Sequence, residues 1–569
     1  MVSRRKMAIA IGVMVVTLVA LVAASMGGAS TKAARNHTLI TGGKQWGTVN
    51  GYNVYNGQYA TGAVGLVYET LMRYDPLTDK YIPWLATSAG FSGKTYTITV
   101  RSGIKWSDGS ALTAADVAYT LNLGQYATAS WHTLWAKTGG ATASGDNVTM
   151  TFTGTPNYQE FQNAIWNIPI VQKAQWSAGV HSASDVTTFL ADPTKVPIGT
   201  GPYTLDHSGT GDGTVKVEYS RKDSWWATSI GEPMPQPLVI DDLVNSSNNI
   251  ALGLVIHGDE DLNNNYLPGI TKLLSSGYGI VTYFSKPPYN LAANTAWLVP
   301  NTKRAPMNNA SFRRALAYAI NVNQVVVGDY GNLVEKADST GLLSVWKKYI
   351  NTSLTKKYGF KYSPSKAVSI LKSAGFKKKG KWFVQPNGKS IKLGLIVPQG
   401  WSDWMTAINM MSADFRKVGI NVTASYPANF FTLRNAGKFD LLIDNSAQIS
   451  DTPWTYYNYM FNQPILSQQT FANFGRYTNN TAWGLSKALN AVPVHSTAAM
   501  NKVISKIQKI TLTQMPLIPL WYNGVWAQMN NTVWTNWPAG ASSRHYFPCM
   551  WNGYFQMTAI DTIANVKAK

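Results

Sequence analysis

A strand–helix–strand pattern in the C-terminal half of the chain constrains the fold more than any other feature. The apolar segment Ile391–Leu395 precedes a helix pattern over Asp403–Val418, and Gly419, the residue type that most often follows a helix, ends it. Two more apolar segments, Ile420–Val422 and Phe439–Ile443, are typical of strands. Strand, helix and strand in this order predict a βαβ unit, and therefore an α/β lobe with parallel strands.

Other segments show the same two periodicities. Thr95–Val100 alternates apolar and polar residues, as a half-buried strand does. Thr113 lies three residues before Asp116 and predicts the start of a helix, and further helices are predicted from Ser311 and from Ser363–Pro364. A chain of 569 residues is too long for one core, so we expect two or three lobes.

The first thirty residues predict export. Arg4, Arg5 and Lys6 precede the uninterrupted apolar run Met7–Ala24, and small residues follow through Ser30. This order is typical of a secretory signal peptide. The run also reaches the length of roughly 18 residues at which an apolar segment can span a bilayer, so an uncleaved N-terminal anchor remains open. The sequence has no cysteine at this junction, and we therefore expect no lipid anchor.

The composition is that of a globular protein, with 45% hydrophobic residues and a mean hydropathy of −0.12. Cys549 is the single cysteine, so we expect no internal disulfide, no cysteine-based metal site, and a buried small residue at this position. The net charge is +21, but the basic residues are scattered, which argues against a nucleic-acid partner. The one dense run, Lys377–Lys381, predicts a hairpin tip. Because carboxylates are few, we hypothesise an acidic external milieu.

The sequence contains no catalytic or metal-binding motif. Its seven histidines do not pair at metal-ligand spacing, and the HExxH, GxSxG and P-loop patterns are absent. The glycines of Gly209–Gly213 lie between two predicted strands and indicate a hairpin tip instead of a phosphate site. We therefore expect no cofactor, no metal and no enzymatic reaction.

A series of motifs in a fixed order carries a resemblance to a known family. The motifs are Val67–Leu71, Tyr81–Ala86, Val100–Gly109, Leu112–Val117, Pro197–Tyr203, Asp223–Trp226, Arg313–Leu316 with Ala319–Asn321, Lys366–Phe376, Asn473–Phe474 and Pro516–Leu520. Over roughly residues 40 to 540 the chain resembles the family 5 extracellular solute-binding proteins, which serve ABC importers of oligopeptides, dipeptides, nickel and some oligosaccharides.

The resemblance implies an α/β protein with the two-lobed fold of the large type II periplasmic binding proteins (cluster C) and an extra small insert domain. The expected parts are an export segment (1–30), a discontinuous lobe I (36–75, 197–300 and 525–569), an insert domain II (76–196) and a lobe III (301–524). A solute is expected to be enclosed between the lobes by hinge closure and passed to the permease subunits of an ABC importer. We expect a monomer.

The family's usual ligand is a peptide, whose amino terminus is held by an aspartate four residues before a proline in lobe III. The matching loop runs from Gln448 to Trp454 and carries Pro453, but Ile449 occupies the position of the aspartate. Asp444 and Asp451 flank it and could substitute. This departure weakens the peptide interpretation without removing it.

The supply of aromatic residues favours an oligosaccharide, because pyranose rings present C–H faces that pack on aromatic rings while amides and carboxylates bind the hydroxyls. The chain has 21 Trp and 29 Tyr. The candidate ligand-binding residues are Trp46, Asn50, Tyr52, Trp401, Trp404, Asp444, Asn445, Gln448, Asp451, Trp454, Tyr456 and Asn473. Oligosaccharide and oligopeptide both remain open, with the sugar ahead.

Two other classes of function remain. A secreted glycoside hydrolase would need two carboxylates across a sugar cleft, and Asp444 with Asp451 is the one pair that could be nominated. An extracellular sensor subunit would use the same cleft as a transport subunit, and the sequence does not separate the two.

Overall fold

The computed structural model describes residues 35–44, 51–56, 60–75, 78, 80–191, 195–209, 216–245, 247–540, 549–550 and 557–569. The predicted export segment, the tip of the 209–213 hairpin, Trp46 and Asn50 lie outside these ranges. Within them, every helix is too short or too polar to span a lipid bilayer. Cys549 is fully buried, as predicted.

Lobe I is built on a seven-stranded sheet whose strands come from distant parts of the chain. Thr38–Lys44 lies at its centre and pairs in parallel with strands on both sides, and the remaining pairs are antiparallel. The spatial order is Ile280–Thr282, Gln528–Asn530, Leu262–Asn263, Thr38–Lys44, Val239–Val244, Lys216–Arg221 and Tyr203–Gly209.

Lobe III is built on a six-stranded sheet and contains the predicted βαβ unit. Leu393–Ile396 pairs in parallel with Val422–Ser425 and Leu441–Asp444, and the helix Ser402–Val418 joins the first two strands. Gly419, at φ 90°, ends that helix, so this part of the sequence prediction is confirmed. The spatial order is Glu335–Lys336, Ile518–Val525, Leu291–Pro300, Leu441–Asp444, Leu393–Ile396 and Val422–Ser425.

The segment expected to form the insert domain carries a four-stranded antiparallel sheet. Its strands are Ala86–Ser92, Thr95–Val100, Asn147–Phe152 and Thr138–Ser144 in spatial order. Tyr96, Ile98 and Val100 face its core, which confirms the alternation seen in the sequence. Its first helix begins after Thr113, whose backbone N–H donates to the Asp116 carboxylate at 2.9 Å.

Short antiparallel ribbons complete the strands. The pair Met72–Asp75 and Lys80–Pro83 joins lobe I to the insert, and Lys377–Lys379 pairs with Trp382–Val384, which confirms a hairpin at the lysine run. A last pair joins Trp534–Thr535 to Lys567–Ala568.

The helices predicted near Ser311 and Ser363 are confirmed at Ala310–Ala319 and Pro364–Ser373. Besides Ser402–Val418, the other α-helices of the described residues are Ala63–Leu66, Ala114–Asn122, His132–Trp135, Tyr158–Asn167, Lys173–Ser177, Asp185–Thr188, Asn248–His257, Val322–Gly328, Thr352–Tyr358, Phe430–Ala436, Trp454–Phe461, Asn480–Asn490, Thr497–Gln514 and Thr558–Ile563.

Lobes I and III are joined where the chain passes from Ile280–Thr282 into Leu291–Pro300, and again where Ile518–Val525 leads into Gln528–Asn530. We propose the division into lobes expected from the sequence, with one adjustment. Leu291–Pro300 pairs within the six-stranded sheet, so the boundary between lobes I and III is placed at about residue 290 instead of 300.

Candidate ligand-binding cleft

A cavity of about 550 Å³ lies where lobe I, the insert and lobe III meet. Its size falls within the ~300–1,000 Å³ typical of small-molecule sites. Each of the three parts contributes to the wall. The lining side chains are Val54, Tyr55, Tyr74, Tyr81, Ser130, Trp131, Asn163, Ala164, Asn167, Ile168, Pro169, Ser446, Ala447, Gln448, Ile449, Ser450, Thr455, Tyr459 and Phe471.

The chemistry of this lining is uniform. Among the described residues that form the wall, none is acidic, basic or a histidine. The polar groups are instead hydroxyls and the amides of Asn163, Asn167 and Gln448, and the remaining surface is dominated by aromatic rings. Such a wall offers neutral hydrogen-bonding groups and flat apolar faces, with no described side chain to neutralise a charged ligand.

Hydrogen bonds within a loop of lobe I fix the position of Tyr55. Its backbone N–H donates to Asn53 Oδ1 at 2.8 Å, and the Asn53 amide donates to the carbonyls of Val186 and Phe189 at 2.9 and 2.6 Å. Its ring makes edge contacts with Trp131 and with Trp176, both at 5.1 Å between centroids. Burial raises the pKa of its hydroxyl well above the ordinary value, so Tyr55 is neutral.

Two tyrosines reach the cavity from the ribbon Met72–Asp75 and Lys80–Pro83. Tyr74 and Tyr81 lie opposite each other in the strand register, with ring centroids 5.1 Å apart. The Tyr74 hydroxyl donates to the backbone carbonyl of Ser450 at 3.0 Å, which joins the ribbon to lobe III.

Asp444 organises the lobe III wall from behind. Its carboxylate accepts hydrogen bonds from Arg434 at 2.7 Å, from the Tyr459 hydroxyl at 2.5 Å and from the Ser446 backbone N–H at 2.8 Å. Asp444 is 2% exposed. The buried ion pair therefore fixes two residues of the wall, Tyr459 and Ser446, while keeping its own charges out of the cavity.

Both the oxygen and the nitrogen of the Gln448 side-chain amide form hydrogen bonds. Its Oε1 accepts from Asn294 Nδ2 at 2.9 Å, and its Nε2 donates to the backbone carbonyl of Asn445 at 2.9 Å. Asn445, which is half-buried, contributes its backbone carbonyl to this arrangement. Gln448 is thus a preorganised part of the wall.

Four hydrogen bonds join the helix Tyr158–Asn167 to lobe III beside the cavity. Gln162 Nε2 donates to Asp451 Oδ2 at 2.8 Å, and Gln159 Nε2 donates to the carbonyl of Val492 at 2.7 Å. Asn490 Nδ2 donates to the Glu160 carboxylate at 2.9 Å, and Asn490 Oδ1 accepts from the Glu160 backbone N–H at 3.0 Å. Asp451 is 1% exposed and therefore acts here as a bond between the two parts.

Several candidate residues lie in the core instead of the wall. Tyr52, Trp454, Tyr456 and Trp404 are 2, 6, 0 and 2% exposed, and Tyr456 packs edge-on against Trp297 and Trp346. On the helix Trp454–Phe461 it is Thr455 and Tyr459, one turn apart, that face the cavity, because the larger neighbouring rings fill the hydrophobic core.

Trp401 and Asn473 also have other surroundings. Trp401 is half-buried and makes an edge contact with Trp404, 4.7 Å between centroids, at the start of the helix Ser402–Val418. Asn473 is 3% exposed, and its amide donates to the carbonyls of Asn462 and Tyr477, both at 2.9 Å. Its role in the described structure is to close a turn.

Other wall residues were not singled out in the sequence analysis. Asn163 and Asn167 are four residues apart on one helix, as are Thr455 and Tyr459, so each pair shares a face. That spacing was the available signal. The described residues contain no group of three or more His, Cys, Asp or Glu side chains placed to hold a metal ion.

Comparisons with known proteins agree with this architecture. An oligopeptide-binding ABC transporter protein from Thermotoga maritima is 36% identical, with a TM-score of 0.87 over 94% of this chain and all of that chain. The same protein with bound mannohexaose gives 35% identity and a TM-score of 0.83, again over 94% of this chain, and 99% of that chain. These values support the predicted two-lobed periplasmic-binding-protein fold.

Sequence relatives are more distant. The peptide transport periplasmic protein SapA of Salmonella typhimurium is 23% identical over 510 residues, 82% of this chain and 84% of that protein. Alignments with four curated bacterial relatives, at 23 to 27% identity, span 63 to 84% of those proteins' lengths. Residues 80–467 match the model of the bacterial extracellular solute-binding proteins, family 5 middle region, and the chain therefore belongs to that family.

Proposed function

We propose that this chain is the exported solute-binding subunit of an ABC importer and that it encloses a neutral oligosaccharide between its lobes without altering it. The N-terminal run Met7–Ala24 supports export, as a cleaved signal or a retained anchor. The two chain crossings near residues 290 and 526 support closure about a hinge, after which the ligand passes to the permease.

The uncharged wall is the observation that carries the choice of ligand. A free peptide brings an ammonium and a carboxylate, and a nickel ion brings two positive charges. Burying such charges without a partner costs several kcal/mol per ion. A neutral sugar avoids this cost, because its C–H faces can pack on Tyr55, Tyr81 and Trp131 while its hydroxyls exchange hydrogen bonds with Asn163 and Gln448.

The relative solved with mannohexaose supports the same choice, because its chain superimposes on 94% of this one at 35% identity. Of the residues proposed from the sequence, Gln448 contacts the ligand directly, whereas Asp444, Asn445 and Asp451 position the wall. Trp46 and Asn50 remain proposed ligand-binding residues.

Binding without hydrolysis follows from the positions of the two candidate carboxylates. A glycoside hydrolase needs two carboxyl groups that flank the scissile bond. Asp444 is engaged by Arg434 and Tyr459, and Asp451 by Gln162, and neither lines the cavity. We therefore propose capture without turnover.

The experiment is a thermal-shift and calorimetric screen of the purified mature chain. Cello-, xylo- and manno-oligosaccharides are compared with di- to pentapeptides, and the recovered ligand is analysed by mass spectrometry. We expect at least one sugar series to raise the melting temperature, by mass action on the folded state, and to be recovered intact. Binding of peptides alone, or shortening of the sugar, contradicts the proposal.

A further inference from the structure

The net charge of the chain is concentrated in lobe III. Residues 291–524 contain 27 of the 49 lysines and arginines but only 8 of the 28 aspartates and glutamates, which gives this lobe a formal charge of +19. The rest of the chain is close to neutral, at +2. Basic residues are therefore spread along the sequence but shared unevenly between the lobes, and such an asymmetry is typical of a protein that meets a polyanionic or membrane surface.

Within lobe III the charge has one sign over a long segment. Between Asp338 and Asp403 the sequence has 13 lysines, no arginine and no acidic residue. The helix Thr497–Gln514 adds three more lysines and also has no carboxylate. Like charges at this density repel one another, so the region is stabilised when an anionic surface lies against it.

The fold places these two segments side by side. The helices Thr352–Tyr358 and Thr497–Gln514 pack against each other. Asn351, which caps the first helix, donates through Nδ2 to Ser505 Oγ at 3.0 Å and through its backbone N–H to Gln508 Oε1 at 2.9 Å. Lysines that are far apart in the sequence therefore share one region of the surface.

A third helix extends this region. Pro364–Ser373 packs on the helix Ala310–Ala319, and Arg314 of that second helix donates to the Tyr358 carbonyl at 3.0 Å. The hairpin that contains Lys377–Lys379 follows Pro364–Ser373 directly. All eleven lysines in residues 352–379 and 497–514 are exposed, and together we call them the lysine face.

The composition of the lysine face fits a fluid anionic surface better than a protein partner. None of the eleven lysines forms an ion pair with a carboxylate of the described residues. Arginine, which makes fixed bidentate contacts, is absent from both ranges, and Tyr362 is their one exposed large hydrophobic side chain. Protein interfaces have an apolar core and are depleted in lysine, whereas flexible ammonium groups suit the headgroups of anionic lipids.

We propose that the lysine face binds the surface of a membrane that contains anionic phospholipids. This inference goes beyond the proposed function and rests only on its first part, export. Each lysine near an anionic surface adds a weak attraction, and the attractions add up because the lysines lie on one lobe. A chain cleaved after its export segment would thus stay close to the membrane that contains the permease.

The test is cosedimentation of the purified chain, without its first thirty residues, with lipid vesicles. Vesicles of phosphatidylcholine alone are compared with vesicles in which about one third of the lipid is phosphatidylglycerol, at about 0.02 M and about 0.2 M salt. We expect binding to the anionic vesicles only. Binding should be at least about tenfold weaker at the higher salt concentration, because screening shortens the reach of the charges.

Two variants of equal net charge separate the lysine face from charge in general. The first combines Lys356→Gln, Lys366→Gln, Lys372→Gln and Lys506→Gln. The matched control combines Lys94→Gln, Lys105→Gln, Lys137→Gln and Lys272→Gln, at exposed lysines outside lobe III. We expect the first variant to bind anionic vesicles at least about tenfold more weakly than the unmodified chain, and the control to change by less than about twofold.

Circular dichroism and the melting temperature check that both variants are folded. Equal losses in the two variants, equal binding to both kinds of vesicle, or binding of a soluble polyphosphate without binding of vesicles overturns the proposal. Vesicle binding is measured without sugar, and sugar binding without vesicles. A failure of the proposed ligand is therefore distinct from a failure of the lysine face.

Discussion

Two groups of carboxylates in this protein differ in their electrostatic surroundings. Behind the cavity wall, Asp444 accepts from Arg434 and Tyr459, and Asp451 accepts from Gln162. At the start of the helix Ser402–Val418, Asp403 is buried, and both it and the half-buried Asp329 lie near Tyr266 and Tyr330. Among the described residues no lysine or arginine forms an ion pair with either of these two.

The difference has an electrostatic cause. Burial raises the pKa of Asp329 to about 8, with the Asp403 charge adding to the effect, and burial raises the pKa of Asp403 to about 6. Asp403 retains a hydrogen bond from the Tyr330 hydroxyl at 3.1 Å. The comparison shows that Asp444, behind the cavity wall, is compensated by a cation, whereas Asp329 and Asp403, near Tyr266, take up protons near neutral pH.

The largest effect is expected from removing the compensation behind the wall. Arg434→Met leaves Asp444 buried without its cation, and the free energy of unfolding should fall by about 3–5 kcal/mol. Arg304→Met is the control, because Arg304 pairs with Asp440 at 3.1 Å while half exposed, and it should cost less than about 1 kcal/mol. Urea denaturation measures both, and equal losses would show that Asp444 needs no cation.

The second effect is a dependence of stability on pH. Asp329 and Asp403 have folded-state pKa values raised above those of the unfolded chain, so their contribution is fully present below about pH 4 and is lost as pH rises through about 6 to 8. Burial likewise raises the pKa of Glu260 to about 7 and of Asp261 to about 6. The melting temperature should therefore be higher at pH 5 than at pH 8.5.

Asp329→Asn isolates this effect. The variant cannot ionise, so the stability curve between pH 6 and 9 should flatten by up to about 1.4 kcal/mol per pH unit relative to the unmodified chain. Denaturant titrations across that range provide the measurement. A curve of unchanged slope would mean that Asp329 titrates near its ordinary value, and an acidic external milieu would lose its support.

The smallest effect concerns the mouth of the cavity. Phe471 lines the cavity and is 69% exposed, so Phe471→Ala should leave the fold intact and weaken sugar binding by about 1 kcal/mol, roughly fivefold. Tyr362→Ala provides the matched control, because Tyr362 is 37% exposed and not part of the cavity wall. Calorimetry separates the two, and an equal response from both would place the ligand elsewhere.

The fold could be predicted where local periodicity decides it. Thr95–Val100 and the strand–helix–strand segment ending at Leu441–Asp444 follow from apolar spacing and from Gly419. The lobe boundary that we propose near residue 290 has no local signal, because Leu291–Pro300, nearly all buried, gains its partners from strands more than a hundred positions away in the sequence.

The site could be predicted to the level of the segment, but not of the side chain. The loop around Gln448 and the helix Trp454–Phe461 do border the cavity, but the inward face of that helix is set by packing against Trp297 and Trp346. Asp451 meets Gln162, a residue 289 positions away, so its use as a bond between parts has no local signal. Tyr74 and Tyr81 could not be predicted as wall residues, because only the tertiary structure places their ribbon at the cavity.

The helix Tyr158–Asn167 both lines the cavity and forms hydrogen bonds to lobe III, so both contacts depend on where the helix lies. Asn163 and Asn167 line the cavity, while Gln159, Glu160 and Gln162 bond to lobe III. A bound molecule too large for the cavity would displace the helix, and its four hydrogen bonds to lobe III would not form. We therefore expect this helix to couple the size of a bound solute to the closure of the lobes.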